Sequence, residues 1–476
     1  VTTAVVVGGG VAGLTAARDL AVAGLTVTVL DAATTPGGCV ASVQVSGLPD
    51  GLLLDGGAES FATRTSAVAD LLREVGLGQE IVQPRRLGSW AQHPDGPVPL
   101  PAAGLLGIPV DPWAADVRQA VGVLGCARAW LDRVLPARVG LPDGPVTVAH
   151  LVRARMGRRV LDRLVAPVVT GVHSHPPDVL DLDTAIPGIR EGLRATGSLA
   201  GAVAGLRERA PAGAAAAGLR GGLHRMVAAL ADDLVRHGGR VETGVAVHAI
   251  VQEPSGWSVR TDDGALATDV VVLAVPGSVA VRLLEPWVSL ELPTPAPVSI
   301  VSLVLDAPAL DRAPRGTGVL VAAGTPVAAK GLTHATAKWE WLAEAAQGLH
   351  VVRLSYGRGP HVGGGPGGLL DGVPDGVPDT ALADASVLLG TDLARDRLRG
   401  WARTDWPLGL GAPTPGHRDR VAAMRRALPD GLHVTGAWAA GTGLAAVVAD
   451  ARGTAAAVVA DVPDTGAARI ERTPRP

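Results

Sequence analysis

At the N-terminus the hydrophobic positions change period twice. Val5 to Val7 form a short continuous apolar run, Leu14, Ala17, Leu20 and Ala21 recur at helical spacing, and Leu25, Val27 and Val29 then alternate with Thr26, Thr28 and Leu30. Glycines separate the first two patterns, so the segment predicts a strand, a glycine turn, a helix from Leu14 to Ala23 and a strand ending at Asp31, which together make a βαβ unit. Far downstream, GGLHRMVAALADDLVRHGG places Leu223, Met226, Val227, Leu230 and Leu234 on one helical face and closes in glycine. Val241–Ile250, Gly256–Thr261 and Asp269–Val275 follow as predicted strands, with a hairpin around DDG. GLHVTGAWAAGTGLAAVVADARGTAAAVVADV near the C-terminus predicts strand, glycine-rich turn and helix. Between these pieces, residues 90–210 are expected to be mostly helical, with proline-rich breaks at 94–101 and 109–112, and residues 292–420 alternate strand and helix patterns. Residues 211–218 and 359–379 have too little to bury and read as mobile loops.

Composition changes this picture in four ways. At 476 residues the chain is long for one core, so two or three packed units are expected. Hydrophobic residues make up 47% but aromatics only 3%, so the core must be aliphatic, and Phe61, the single phenylalanine, is expected to pack in it. Of the 42 basic residues only Lys330 and Lys338 are lysines, a bias that GC-rich coding produces. A net charge of −3 exerts no general pull on nucleic acid, so any anionic partner must be met by local arginine clusters.

Cys39 and Cys126 are too few for a disulfide framework or a four-ligand zinc site, and His173 and His175 lack a carboxylate partner, so no metal is assigned. No basic leader and no apolar run of spanning length is found, which makes the cytoplasm the expected location. A mean hydropathy of +0.29 leaves room for peripheral membrane contact.

The chemistry begins in the first turn. Gly8-x-Gly10-x-x-Gly13, between a strand and a helix, lets bare backbone approach a pyrophosphate at the helix N-terminus, and Asp31 stands where a ribose diol would be gripped. This fingerprint alone does not separate NAD from FAD. Gly38, in the pair that follows the acid, and the C-terminal TGAWxxGTG turn supply further glycine sites, which a longer buried cofactor needs.

On these residues, and on LDGGAESFATR, MGRRVLDRLVAPVVTGV, LRGGLHRMVAALADDL, VVVLAVP, KGLTHATAKW and WPLGLGAPTPGHRDRVAAM, the chain resembles the FAD-dependent protoporphyrinogen/coproporphyrinogen III oxidases, within the amine oxidase and phytoene desaturase superfamily. The resemblance covers nearly the whole chain. It implies an α/β protein: a discontinuous Rossmann-like FAD-binding domain from 1–88, 219–290 and 425–465, a mainly helical unit at 89–210 through which substrate enters, and a mixed α+β substrate domain at 291–424. By the same resemblance Gly57, Ala58, Glu59 and Ser60 line the cofactor, Val247 meets adenine through its main chain, Trp406 lies by the flavin, and Gly436, Gly443, Ala446 and Val447 close over the pyrophosphate and ribityl chain.

Arg64 is implied to meet a propionate through its planar fork, the alternative being a solvated surface cation. Gly171 either brings backbone against the substrate ring or caps a helix. These two are the positioning residues, and no side-chain base is assigned. His175 and Lys330 are further substrate-binding candidates, with Arg85, Arg86, Arg190 and Arg194 in segments that could supply a basic rim.

The sequence departs from the family pattern at three places. Asp31 replaces Glu, His173-Ser174-His175 replaces an aromatic, a small residue and glycine, and the last helix lacks the usual Pro or Cys. The implied reaction is the dioxygen-linked, six-electron oxidation of coproporphyrinogen III, a substrate that agrees with a high-GC coding bias. Protoporphyrinogen IX is the alternative substrate, and a downstream chelatase is the implied recipient of product. A flavin amine oxidase and a non-catalytic FAD-holding tetrapyrrole carrier remain as rival classes.

Overall fold

A computed structural model describes residues 1–208, 216–357 and 377–461. The loops expected at 211–218 and 359–379 fall mostly outside these residues, and their last positions begin a strand, Ala216–Leu219, and a helix, Val377–Leu389.

One sheet is built from three distant parts of the chain. Its five parallel strands run in the order Arg240–Thr243, Thr26–Asp31, Thr3–Val7, Val270–Leu273 and Leu432–Val434. The central strands are buried on both faces, which is why they read as unbroken valine runs rather than as alternation. Helix Val11–Val22 packs so closely behind the first strand that a methyl group on Gly13 would strike the Gly8 carbonyl oxygen. Gly13 is therefore the packing glycine of the fingerprint. Arg18 on this helix binds Asp19, Asp233 and Glu74, and Arg452 on the last helix, Leu444–Asp461, binds Asp19 and Glu74, so one charged network joins helices from all three parts.

The strand expected over Val241–Ile250 is two strands in different sheets. Gly244 turns the chain at φ 74°, donating to Ala33 O, while Val245 donates to Asp31 O; the second strand, Val247–Glu253, then joins an antiparallel three-stranded sheet. A continuous apolar pattern conceals such a break, because both halves are buried on one side.

A seven-stranded sheet carries the second unit, in the order Leu398–Leu410, Ala296–Leu305, His350–Tyr356, Gly331–His334, Gly318–Val321, Trp90–His93 and Gly96–Pro99. Residues 90–99 were expected in the helical unit, yet Ala91, His93 and Val98 point inward at strand spacing and complete this sheet. The helices start beyond them, around an aliphatic core that includes Leu151, Val160, Leu164 and Leu193 and into which Ala91 and Val98 of these strands also pack. Asp132 and Arg155 are fully buried there as an ion pair, and Arg155 also donates to the carbonyls of Asp132, Pro136 and Gly197. Phe61 is buried among Val11, Leu14, Val68 and Leu71, as a packing residue.

Gly13→Ala is expected to lower the unfolding free energy by about 1–3 kcal/mol, the usual range for overpacking. Urea denaturation measures it, and an unchanged value would show that the turn yields freely.

Candidate active site

The carboxyl ends of the parallel strands open into a cavity of about 1710 Å³ whose far wall is the seven-stranded sheet. Gly8 and Gly10 line it from the first turn, and Gly38 lines it beside Gly10, whose Cα a methyl group on Gly38 would touch at 3.6 Å. Helix Val11–Val22 carries no acid in its first turn, so its positive end is left for an anion. Asp31 also lines the cavity. Its Oδ2 accepts from Gly9 N at 2.8 Å and its Oδ1 from Ala33 N at 2.8 Å, which fixes the carboxylate while each oxygen keeps a further lone pair for a diol. Gly57, Ala58, Glu59, Ser60, Val247, Trp406, Gly436 and Val447 are on the wall as well. Trp406 is held by its indole N–H to Gly56 O at 3.1 Å.

Several expected residues are placed elsewhere. Gly13 faces the strand behind it. Gly443 and Ala446 are exposed and leave the wall to Thr442, Leu444 and Val447, because Leu444 and Val447 share a helix face that Ala446 does not. His175 is buried, with Nδ1 3.0 Å from His173 O, and is not on the wall. Arg85, Arg86, Arg190 and Arg194 do not line the cavity, and Arg190 is engaged by Asp183 and by the carbonyls of Pro142 and Gly144.

A further part of the wall, where the candidate substrate residues were expected, gathers at the end of helix Ala166–His173. Gly171 lies inside this helix and lines the cavity, and the cap is Ser174 at φ 59°, so Gly171 is not a cap residue. Lys330 Nζ meets Ser174 Oγ at 2.5 Å, and both residues line the cavity. His173 Nδ1 is 3.1 Å from Thr442 Oγ1, tying this helix to the C-terminal glycine turn. Burial, then the charge of Arg64 beside it, push the His173 imidazole down to about 4, so it is neutral at pH 7. Arg64 is exposed and does not itself line the cavity; its pKa is lowered by desolvation, and it has no hydrogen-bond or ion-pair partner among the described residues.

The pattern gave no role to Arg353, Lys338, His417 or Trp438. Glu59 binds Lys338 Nζ at 2.6 Å and Arg353 through its other oxygen, and Arg353 also donates to Gly57 O at 2.7 Å. Burial alone would raise the Glu59 pKa, but Lys338 and then Arg353 outweigh it and hold the carboxyl at about 2. The only sequence signal was that Lys338 is one of two lysines among so many arginines.

His417 Nε2, Trp438 Nε1 and Arg353 Nε are buried atoms with no hydrogen-bond partner among the described residues, and all three side chains line the cavity. Orphaned polar atoms around a glycine cradle fit a bound dinucleotide, whose phosphates and hydroxyls would satisfy them. Among the described residues no cluster of three His, Cys, Asp or Glu could hold a metal.

The chain belongs to the flavin containing amine oxidoreductases, whose family model matches residues 11–462. It is 31% identical over 458 residues to a coproporphyrinogen III oxidase of Mycobacterium tuberculosis, covering 93% of this chain and 94% of the relative. It is 29% identical to the coproporphyrinogen III oxidase of Propionibacterium freudenreichii, covering 95% and 89%. The fold matches the crystal structure of an Exiguobacterium protein provisionally named a protoporphyrinogen oxidase, with TM-score 0.82 at 24% identity over 97% of this chain and 99% of that one. A cyclohexylamine oxidase from Brevibacterium oxydans shares the fold more distantly, with TM-score 0.65 at 15% identity over 97% and 99%.

Because the Glu59 value in the folded protein lies below its ordinary 4.5, the cluster's stabilisation is present above pH 4.5 and is lost as pH falls toward 2. Acid-titrated thermal unfolding should show that loss. Glu59→Gln should flatten the curve in this window and cost about 3–5 kcal/mol at pH 7, since it strips buried Arg353 and largely buried Lys338 of their anion.

Proposed function

We propose that the protein is an FAD-dependent oxidase that converts coproporphyrinogen III to coproporphyrin III in haem biosynthesis. The observation that supports this reading best is one continuous cavity joining a dinucleotide crevice to a substrate wall. Its volume of about 1710 Å³ exceeds the few hundred to roughly 1,000 Å³ of an ordinary small-molecule site, leaving room for a flat macrocycle beside a dinucleotide. The names of the relatives agree with it.

FAD would supply a two-electron acceptor, so that six-electron aromatisation takes three rounds, with dioxygen as final acceptor and peroxide as by-product. The chain's own residues bind and orient. Gly8, Gly10 and the following helix N-terminus hold the pyrophosphate, Asp31 the ribose, and Val247 the adenine. Arg64 and Lys330 take propionate carboxylates, and Gly171 presents backbone to the ring. No side-chain base is needed where an aromatic product drives proton loss.

Protoporphyrinogen IX is a second reading favoured by one observation. It carries two carboxylates rather than four, and the arginines expected to form a wide basic rim are not on the wall.

Among the described residues no helix is long and apolar enough to cross a membrane. Leu124, 76% exposed, and Val123 and Trp130 are exposed on the part of helix Ala115–Trp130 that follows the break at Gly122, and Val134 is exposed just beyond it, which supports peripheral contact with a membrane from the cytoplasm. A chelatase is the expected recipient of product.

Anaerobic mixing tests the reaction. The flavin of an oxidase bleaches when coproporphyrinogen is added and recolours in air, and a spectrum that stays yellow with both porphyrinogens overturns the reading in favour of a carrier. Arg64→Met is expected to raise KM about tenfold with little change in kcat, the signature of lost uniform binding. Steady-state kinetics decide it.

A further inference from the structure

The Glu59 cluster lies where the two halves of the cavity meet. Glu59 belongs to the segment that follows the cofactor crevice, and Arg353 belongs to the central strands of the large sheet, in register with Thr333 on the neighbouring strand. Glu59, Arg353 and Thr333 all line the cavity. The side chains are 13% exposed for Glu59, 8% for Arg353 and 18% for Lys338, so their charges act through a medium that screens them weakly. One ionised carboxylate faces two cations. The cluster therefore keeps one uncompensated positive charge, and the buried Arg353 Nε–H has no partner among the described residues.

Two features indicate that this is more than a tie between segments. A neutral pairing of Glu59 with Arg353 alone would hold Gly57 through the same guanidinium, yet a second cation is present. It is also one of only two lysines in a chain that otherwise uses arginine. Lys338 Nζ sits 4.9 Å from the centre of the Trp339 ring, so it is fixed on both sides as a compact charge.

We propose that Arg353, Lys338 and Glu59 form a net-positive cluster that raises the electron affinity of the bound flavin. Uptake of two electrons and one proton by the flavin ring, from substrate or from an added reductant, leaves one negative charge on it. A fixed positive charge at the junction stabilises that product and leaves the neutral oxidised ring almost unaffected. Arg353 acts as the electrostatic partner; Lys338 acts through Glu59, whose carboxylate it neutralises so that the charge of Arg353 remains. The inference rests on the flavin reading above.

FAD-loaded protein equilibrated anaerobically with a reference redox dye tests it, read as the ratio of reduced flavin to reduced dye. Arg353→Met is expected to shift this equilibrium about tenfold toward oxidised flavin, and Lys338→Met, which also removes one positive charge, should shift it the same way. Arg353→Lys keeps the charge and should recover most of the wild-type ratio. An FAD-loaded Arg353→Met or Lys338→Met with the wild-type ratio overturns the inference and leaves the cluster a structural tie. Should Arg353→Met fail to fold, Lys338→Met decides alone. Wild-type protein that takes up no FAD overturns the cofactor reading, and this inference with it.

Discussion

Glu59 is a largely buried carboxylate, 13% exposed, between two sheets that belong to different units, and such a group must be matched or neutralised. Its partners come from almost three hundred residues away, and the Arg353 that meets it also grasps the Gly57 carbonyl. The cavity exists because the end of the parallel sheet and the face of the large sheet are held at this separation. Together with the Trp406 hydrogen bond to Gly56 O, these contacts tie Gly57 to Ser60 to the sheet that carries Thr333 and Ser355, so that both halves of the wall face one space.

The cofactor half was largely legible in the sequence, and physical locality explains why. Gly8, Gly10, Gly13 and Asp31 lie within one βαβ unit, where backbone sterics impose the residue types, so the chain records the geometry directly. Even there the pattern merged two roles, since Gly13 serves helix packing and Gly10 the cavity. The substrate half was legible only as segments. His417 and Trp438 sit in segments that the sequence marked without giving these side chains a role, and Arg353 reaches the wall through a strand pairing that nothing near it in sequence announces. The rim arginines failed for the opposite reason: arginine is so abundant that its presence says little, and Arg190 is bound within the helical unit.

The end of helix Ala166–His173 shows how a departure from the family pattern is accommodated. Ser174 adopts a left-handed conformation that a glycine would take more easily, and Lys330 engages its hydroxyl. His173 is held by Thr442 and kept neutral, so two polar replacements are absorbed without placing a new charge in the cavity. Three units thus touch within four residues. The helical unit supplies the backbone, the large sheet supplies Lys330, and the C-terminal glycine turn supplies Thr442.

The parallel sheet draws its strands from residues 3–7, 26–31, 240–243, 270–273 and 432–434, and the last of these closes the side of the crevice that carries Gly436 and Trp438. Synthesis runs from the N-terminus, so Val270–Leu273 stands at the sheet edge until residues 432–434 have been made and can pair with it. The first glycine turn therefore exists long before the wall that faces it, and the crevice is completed only by a pairing between strands far apart in the chain, the kind of contact that folds late.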